Sequence, residues 1–182
     1  MKYPSLAVSL SAAVLAAVMI AGCAHSNISG IGRNAVATAL LAPKSGSATT
    51  GTVSFAPAGT NAVRVTVDIT GLKPNAEHGF HVHERGDCSA PDAMSAGGHF
   101  NPTNHKHGGP MVEHHAGDIP NLKSDAEGRM RGSFEVSGLS VEGGPTDIIG
   151  KALVVHRDRD DYKSQPAGDS GPRIACGVIH RV

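Results

Sequence analysis

Residues 63–70 read Val63-Arg64-Val65-Thr66-Val67-Asp68-Ile69-Thr70. An apolar side chain at every second position, alternating with a polar one, is the period of a strand with one face buried and one face wet. Gly71 follows, and Pro74-Asn75 marks a turn. Working outward, 36–41 and 50–55 are short apolar stretches, and 80–84, 130–136, 152–156 and 174–180 are further strand candidates. No segment carries a sustained helical period. Around eight short strands separated by turns predict an all-β chain, an antiparallel sandwich or flattened barrel.

Two long stretches do not read as strands. The first covers 85–121 and is rich in Gly, Pro, Asn, Asp and His; the second covers 158–172. Long loops without secondary structure inside a compact domain are functional or disordered. A bound metal would explain how the first is held, because its backbone gains little from apolar burial.

Composition narrows the field. The chain has 182 residues, 16 basic and 16 acidic, and a formal net charge of zero, which gives no reason to expect nucleic acid as a partner. With 23 Gly, 11 Pro and no Trp it reads as one turn-rich domain. The N-terminus stands apart. Lys2 is followed by an apolar or small-residue run over 6–21 and then Ile20-Ala21-Gly22-Cys23. That is a leader to be set aside from fold reasoning. Its ending resembles the bacterial lipobox, whose cysteine is acylated and becomes the first mature residue; an uncleaved anchor helix or an ordinary signal peptide are the alternatives. The expected organisation is a signal peptide over 1–22, a flexible tether over 23–34 and a folded domain over 35–182. With Cys23 lipidated, Cys88 and Cys176 remain, and export to an oxidising compartment predicts a disulfide between them. Metal binding by both thiolates is the other option, although no Cys-x-x-Cys spacing supports it.

Eight of the 11 histidines fall between His78 and His115, in a window that also holds Asp87 and Asp92 and ends just before Asp118. Imidazole is the commonest protein ligand for zinc and copper. In His81-Val82-His83 the two rings share one face of a strand and can reach one metal from a rigid support. His156 ends the run Ala152-Leu153-Val154-Val155 and could supply a third nitrogen from a neighbouring strand. His99, His105, His107, His114, His115 and Asp118 lie in the loop, where three nitrogens and one carboxylate would make a closed zinc site. Composition does not choose between His105 and His107 or between His114 and His115. A disordered, metal-scavenging tract is the bland alternative.

Six motifs, taken together, resemble a known family. They are Gly79-Phe80-His81-Val82-His83-Glu84, Gly98-His99-Phe100-Asn101-Pro102, Lys106-His107-Gly108-Gly109-Pro110, His115-Ala116-Gly117-Asp118, Leu153-Val154-Val155-His156 and Gly171-Pro172-Arg173-Ile174-Ala175-Cys176-Gly177-Val178-Ile179. Their order and content are similar to those of the copper,zinc superoxide dismutases, over roughly residues 35–182. The resemblance implies an eight-stranded antiparallel Greek-key sandwich or flattened barrel with two long functional loops, an architecture for which this family is a standing example. It implies one copper and one zinc ion per subunit. Copper would take His81, His83, His99 and His156; zinc would take His99, His107, His115 and Asp118, so that His99 is shared. Asp160 matches an aspartate that bonds the free N–H groups of His81 and His107. Cys88 and Cys176 match the family disulfide, and Arg173 an arginine beside copper whose guanidinium offers a charged fork of donors. His99 and Arg173 would be the catalytic residues, His99 carrying a proton while copper changes oxidation state. No role falls to His78, His105 or His114.

The implied activity is dismutation of superoxide, by a protein in the bacterial cell envelope that is lipid-anchored to a membrane and faces the periplasm. A non-catalytic copper- or zinc-binding lipoprotein on the same fold is the alternative. The ten residues between Cys88 and His99, longer than in eukaryotic members, resemble the exported bacterial branch. The 158–172 segment is correspondingly short. Fixed charge near a site speeds capture of an anion, and this family is a standing example; Lys106, Lys163 and Arg173 are the candidates here. Oligomeric state does not carry over, leaving monomer or homodimer.

Overall fold

The computed structural model describes Met1 and residues 34–182. The leader, Cys23 and nearly all of the tether lie outside the described residues. Nine strands follow one another: β1 Ala37–Pro43, β2 Thr50–Pro57, β3 Ala62–Thr70, β4 Glu77–His83, β5 Asp118–Lys123, β6 Met130–Ser137, β7 Ala152–His156, β8 Arg173–Val178 and β9 His180–Arg181. Every pairing between them is antiparallel. The sheet runs β5-β4-β7-β8-β1-β2-β3-β6, with β9 beside β1. Eight strands thus form a nearly closed barrel, open between β5 and β6. Among the described residues no helix is long and apolar enough to cross a membrane.

The period-two stretch behaves as its pattern requires. Val63, Val65, Val67 and Ile69 are buried on β3, while Arg64 is exposed and pairs with Glu135 on the neighbouring β6. The inward residues of β3 join Phe55, Phe80, Val82, Leu153 and Val155 in one core. On β4 and β7 the core takes Phe80, Val82 and Val155, so the intervening His81, His83 and His156 face the other way. They are nonetheless buried, because the long loops cover that outer face.

Two expectations need correction. The first non-strand stretch ends earlier than expected, because Asp118–Lys123 forms β5. Pro120 and Asn121 disfavour a strand and hide it from pattern reading. The strand survives because it is an edge, paired only with β4, where a missing N–H is tolerated. The stretch 174–180 is also two strands rather than one. β8 pairs with Ala42 and Pro43 of β1, whereas β9 pairs with Ala37 and Thr38. Between them Ile179 N–H turns away to the Lys151 carbonyl. Gly177 permits this crossing, because a Cβ there would collide with the Leu40 carbonyl.

The loop over 84–117 is held by named contacts. Val82 N–H donates to the Gly117 carbonyl, Phe100 N–H to the Val82 carbonyl and Gly117 N–H to the Phe100 carbonyl. Those three bonds clamp both arms of the loop to β4. The Cys88–Cys176 disulfide ties the loop to β8, with Cα atoms 5.8 Å apart. Around it Ala93, Ala96, Ala152 and Val154 form a second small apolar cluster. Ala93 and Ala96 belong to a short 3-10 turn, Met94–Ala96 and its flank.

Candidate metal centre

Four histidines from three elements converge on the outer face of β4. His81 and His83 come from the strand itself, His156 from the end of β7, and His99 from the clamped arm of the first loop. The β4–β7 register sets His81 opposite Val154, which places His156 one step along on the same face. His99 bridges to His83. Its ring centre lies 4.0 Å from that of His81 and 5.0 Å from that of His83. The His156 ring lies 4.8 Å from that of His81.

Each of these rings is held by one nitrogen. His81 Nε2–H donates to Asp160 Oδ2 at 2.7 Å, His83 Nδ1–H to the Gly97 carbonyl at 2.9 Å, and His156 Nδ1–H to the Gly171 carbonyl at 3.1 Å. The acceptors require a proton on those nitrogens, so the opposite nitrogen of each ring carries a lone pair. Those opposite atoms, His81 Nδ1, His83 Nε2 and His156 Nε2, are buried with no protein partner, as is His99 Nε2. Buried polar atoms are ordinarily satisfied, so four adjacent exceptions call for a ligand. One ligand atom from each of the four residues lies within 4.8 Å of all the others. A cation with imidazole preference fits this set.

The second set shares His99. His99 Nδ1, His107 Nδ1 and His115 Nδ1 lie 2.7, 3.0 and 3.3 Å from the single oxygen Asp118 Oδ1. Three nitrogens and a carboxylate in a buried cluster match the donor set of a closed, four-coordinate zinc site. Asp118 Oδ2 is turned to the main-chain N–H groups of Gly108 and His115, which leaves Oδ1 for the cluster. Asp160 joins the two sets. Its Oδ2 accepts from His81 and its Oδ1 from His107 Nε2 at 3.0 Å, and the carboxyl group is fully buried.

Electrostatics follow the geometry. Burial pushes the His81 pKa down to about 4 and those of His83 and His156 well below their ordinary value. These rings are therefore neutral bases, as metal ligands must be. Burial also opposes charge on His107, but the carboxylates of Asp118 and Asp160 outweigh it and raise the pKa to about 9. Burial works against ionised Asp118 and Asp160, yet their histidine partners hold both well below the usual carboxylate range. The carboxylates thus draw positive charge to His107, burial lowers the His115 pKa, and the set around His81 repels a proton but still offers lone pairs.

Arg173, at the start of β8, pairs in register with His156. Its two terminal nitrogens donate to the Ala93 and Gly97 carbonyls, each at 2.7 Å. The Gly97 carbonyl also accepts from His83, so one peptide group aligns both the arginine and a ring of the first set. Of the other candidate cations, Lys106 and Lys163 are exposed. Arg157 and Arg159, also in the second loop, are paired with Asp158 and Glu77.

Among the described residues the remaining histidines stand outside both sets. His105 Nδ1 faces the His114 carbonyl at 3.3 Å, and His114 Nδ1 the Val112 carbonyl at 2.6 Å. His78 is fully buried, and its Nδ1–H donates to the His156 carbonyl at 2.9 Å. Sequence reasoning missed this prop, and also the carbonyls of Ala93, Gly97 and Gly171. Every residue has a carbonyl, so no residue type signals such a role.

The model of the copper/zinc superoxide dismutase family matches residues 49–179. The chain is similar to superoxide dismutase (Cu-Zn) 2 of Aquifex aeolicus, 46% identical over 126 residues, which is 64% of this chain and 71% of that protein. It is similar to the Cu-Zn superoxide dismutase of Deinococcus radiodurans, 39% identical over 145 residues, 73% of this chain and 78% of that one. Among solved structures it resembles a superoxide dismutase-like protein from Bacillus subtilis, with a TM-score of 0.70 and 36% identity, covering 77% of this chain and 95% of that one. It also resembles the clock protein EA4, with a TM-score of 0.73 and 38% identity, covering 84% and 98%.

Proposed function

Because the chain belongs to the copper/zinc superoxide dismutase family, we propose that it removes superoxide in the bacterial cell envelope, held to a membrane by a lipid on Cys23. Two superoxide ions and two protons give one dioxygen and one hydrogen peroxide. The observation that carries the reading is the convergence of four buried imidazole nitrogens, three of them in rings whose other nitrogen is pinned by a named acceptor. His81, His83, His99 and His156 would hold copper, and His99, His107, His115 and Asp118 would hold zinc. Copper, when bound, supplies one-electron redox chemistry, and zinc, being redox-inert, supplies charge and geometry.

The chain's own residues do the rest. Asp160 keeps a proton on Nε2 of His81 and of His107, which makes Nδ1 the ligating atom of each ring, His107 giving up its Nδ1 proton when an ion binds. His99 faces both sets and offers Nε2 as the atom that holds and passes a proton. Arg173 keeps its charge at any working pH, and two carbonyls fix its fork before an anion arrives, so orientation costs little at that moment. The apolar cluster around the disulfide backs this arrangement.

Protein loaded with both metals should accelerate superoxide decay, and His156→Ala should lower the rate by about a hundredfold or more, since a ring that completes the first set is lost. Undiminished decay in that variant would sink the reading, and a loaded parent that fails to accelerate decay would favour a non-catalytic metal-binding protein. The anchor has its own test. In cells, Cys23→Ser should move the protein from the membrane fraction to the soluble fraction; a variant that still sediments with membranes removes the lipid from the account.

A further inference from the structure

His107 is gripped from three directions by the loop over 157–172. Its Nε2–H donates to Asp160 Oδ1. Its main-chain N–H donates to Gln165 Oε1 at 2.9 Å, and its main-chain carbonyl accepts from Gln165 Nε2 at 2.8 Å. The second Nε2 hydrogen of Gln165 reaches the Lys163 carbonyl at 3.2 Å. One N–H and two carbonyls admit only one orientation of the amide, so this side chain is fully specified.

The need for such a grip is local. His107 is followed by Gly108-Gly109-Pro110 and lies in no strand, so its main-chain groups have no ladder to pair with. A ring held only at Nε2 can still swing about that bond. Fixing the main chain as well leaves Nδ1 aimed at Asp118 Oδ1. Gln165, although exposed, substitutes for the missing strand neighbour. With Ser164, Pro166 and Ala167 it also lines a cavity of about 330 Å³ that has His156 on its wall.

We propose that Gln165 is a positioning residue that holds the main chain of His107 and so couples zinc retention to the wall of the cavity beside His156. The inference rests on reading His99, His107, His115 and Asp118 as a zinc site. The test uses the full metal-loaded protein and compares Gln165→Met, which keeps the length without the hydrogen bonds, with Lys163→Gln, a change in the same loop that leaves them intact. Zinc transfer to a colorimetric chelator should run about tenfold faster in Gln165→Met, from the loss of the two hydrogen bonds to His107. Copper retention and the melting temperature of the metal-free protein should match the parent, and Lys163→Gln should release zinc at the parental rate. Amide hydrogen exchange over 163–168 should slow on zinc binding in the parent and not in Gln165→Met. Parental zinc release in Gln165→Met overturns the proposal. So does equal loss of zinc and copper with a lowered metal-free melting temperature, which would mark a general structural role. A parent protein that takes up no zinc overturns the zinc assignment itself, and this inference with it.

Discussion

Asp160 shows how much a single side chain can decide. Its two oxygens each accept a proton from a different ring, at 2.7 Å from His81 and 3.0 Å from His107. Asp160→Asn keeps the shape but replaces one acceptor with a donor. One ring must then move its proton to Nδ1 and cease to be a ligand. The longer and weaker bond belongs to His107, so the zinc set should yield. We expect zinc affinity to fall by about tenfold to a hundredfold. Zinc content after dialysis against a graded chelator series checks this, and parental zinc content would show that the tautomer is set elsewhere. Legibility at this scale was uneven. His81 and His83 announced themselves by spacing on a strand. His156 did so only through resemblance, because nothing in its own run says which strand lies beside it. The choice of His107 over His105 likewise came only through resemblance; in the fold His105 turns toward the His114 carbonyl. Gln165 left no signal, because a polar residue in a polar loop is unremarkable until its partners are known.

Among the elements, strands with a clean period were legible and those with conflicting local chemistry were not. β3 and β7 are close to expectation, while β5 hides behind Pro120 and Asn121 and is kept by its edge position. The 3-10 turn at Met94–Ala96 was read only as part of an inserted loop. It proves to be a mechanical part, since the carbonyls at its two ends, Ala93 and Gly97, carry Arg173. The disulfide packs against that turn and closes a separation of 88 residues. Replacing both cysteines, Cys88→Ser with Cys176→Ser, should lower the free energy of unfolding by about 2–4 kcal/mol. It should also reduce kcat/KM more than kcat, because the fork of Arg173 loses its rigid backing while the imidazole rings keep most of their anchors. Urea unfolding and steady-state superoxide decay measure the two effects. A stability loss with unchanged kcat/KM would separate the turn from anion capture.

For the molecule as a whole, the metal-free state is where the buried charges show. His81, His83 and His156 titrate near 6.5 in an unfolded chain, whereas in the fold burial holds His81 at about 4 and the others well below the ordinary value. Between pH 6.5 and pH 4 the unfolded chain therefore binds protons that the folded chain refuses. Stability present above pH 6.5 is lost as the pH falls through that window. His107 acts in the opposite sense. Its pKa is raised to about 9, so its contribution is complete below pH 6.5 and is lost as the pH rises toward 9. Burial lowers the His115 pKa as well, so four rings act on the acid side against one on the basic side, and the depressed carboxyl groups of Asp118 and Asp160 add to the acid loss at still lower pH. The metal-free melting temperature should thus peak at about pH 7, fall steeply toward pH 4.5 and decline gently toward pH 8.5. Bound metal ions take the place of protons in both sets, so loading should raise the curve throughout and most toward pH 8.5, where His107 has less of its proton to give up. Calorimetry of the metal-free and loaded protein across that range decides the matter. A metal-free melting temperature that stays level from pH 6.5 to pH 4.5 would mean that the acid-side rings are open to water when no ion is bound.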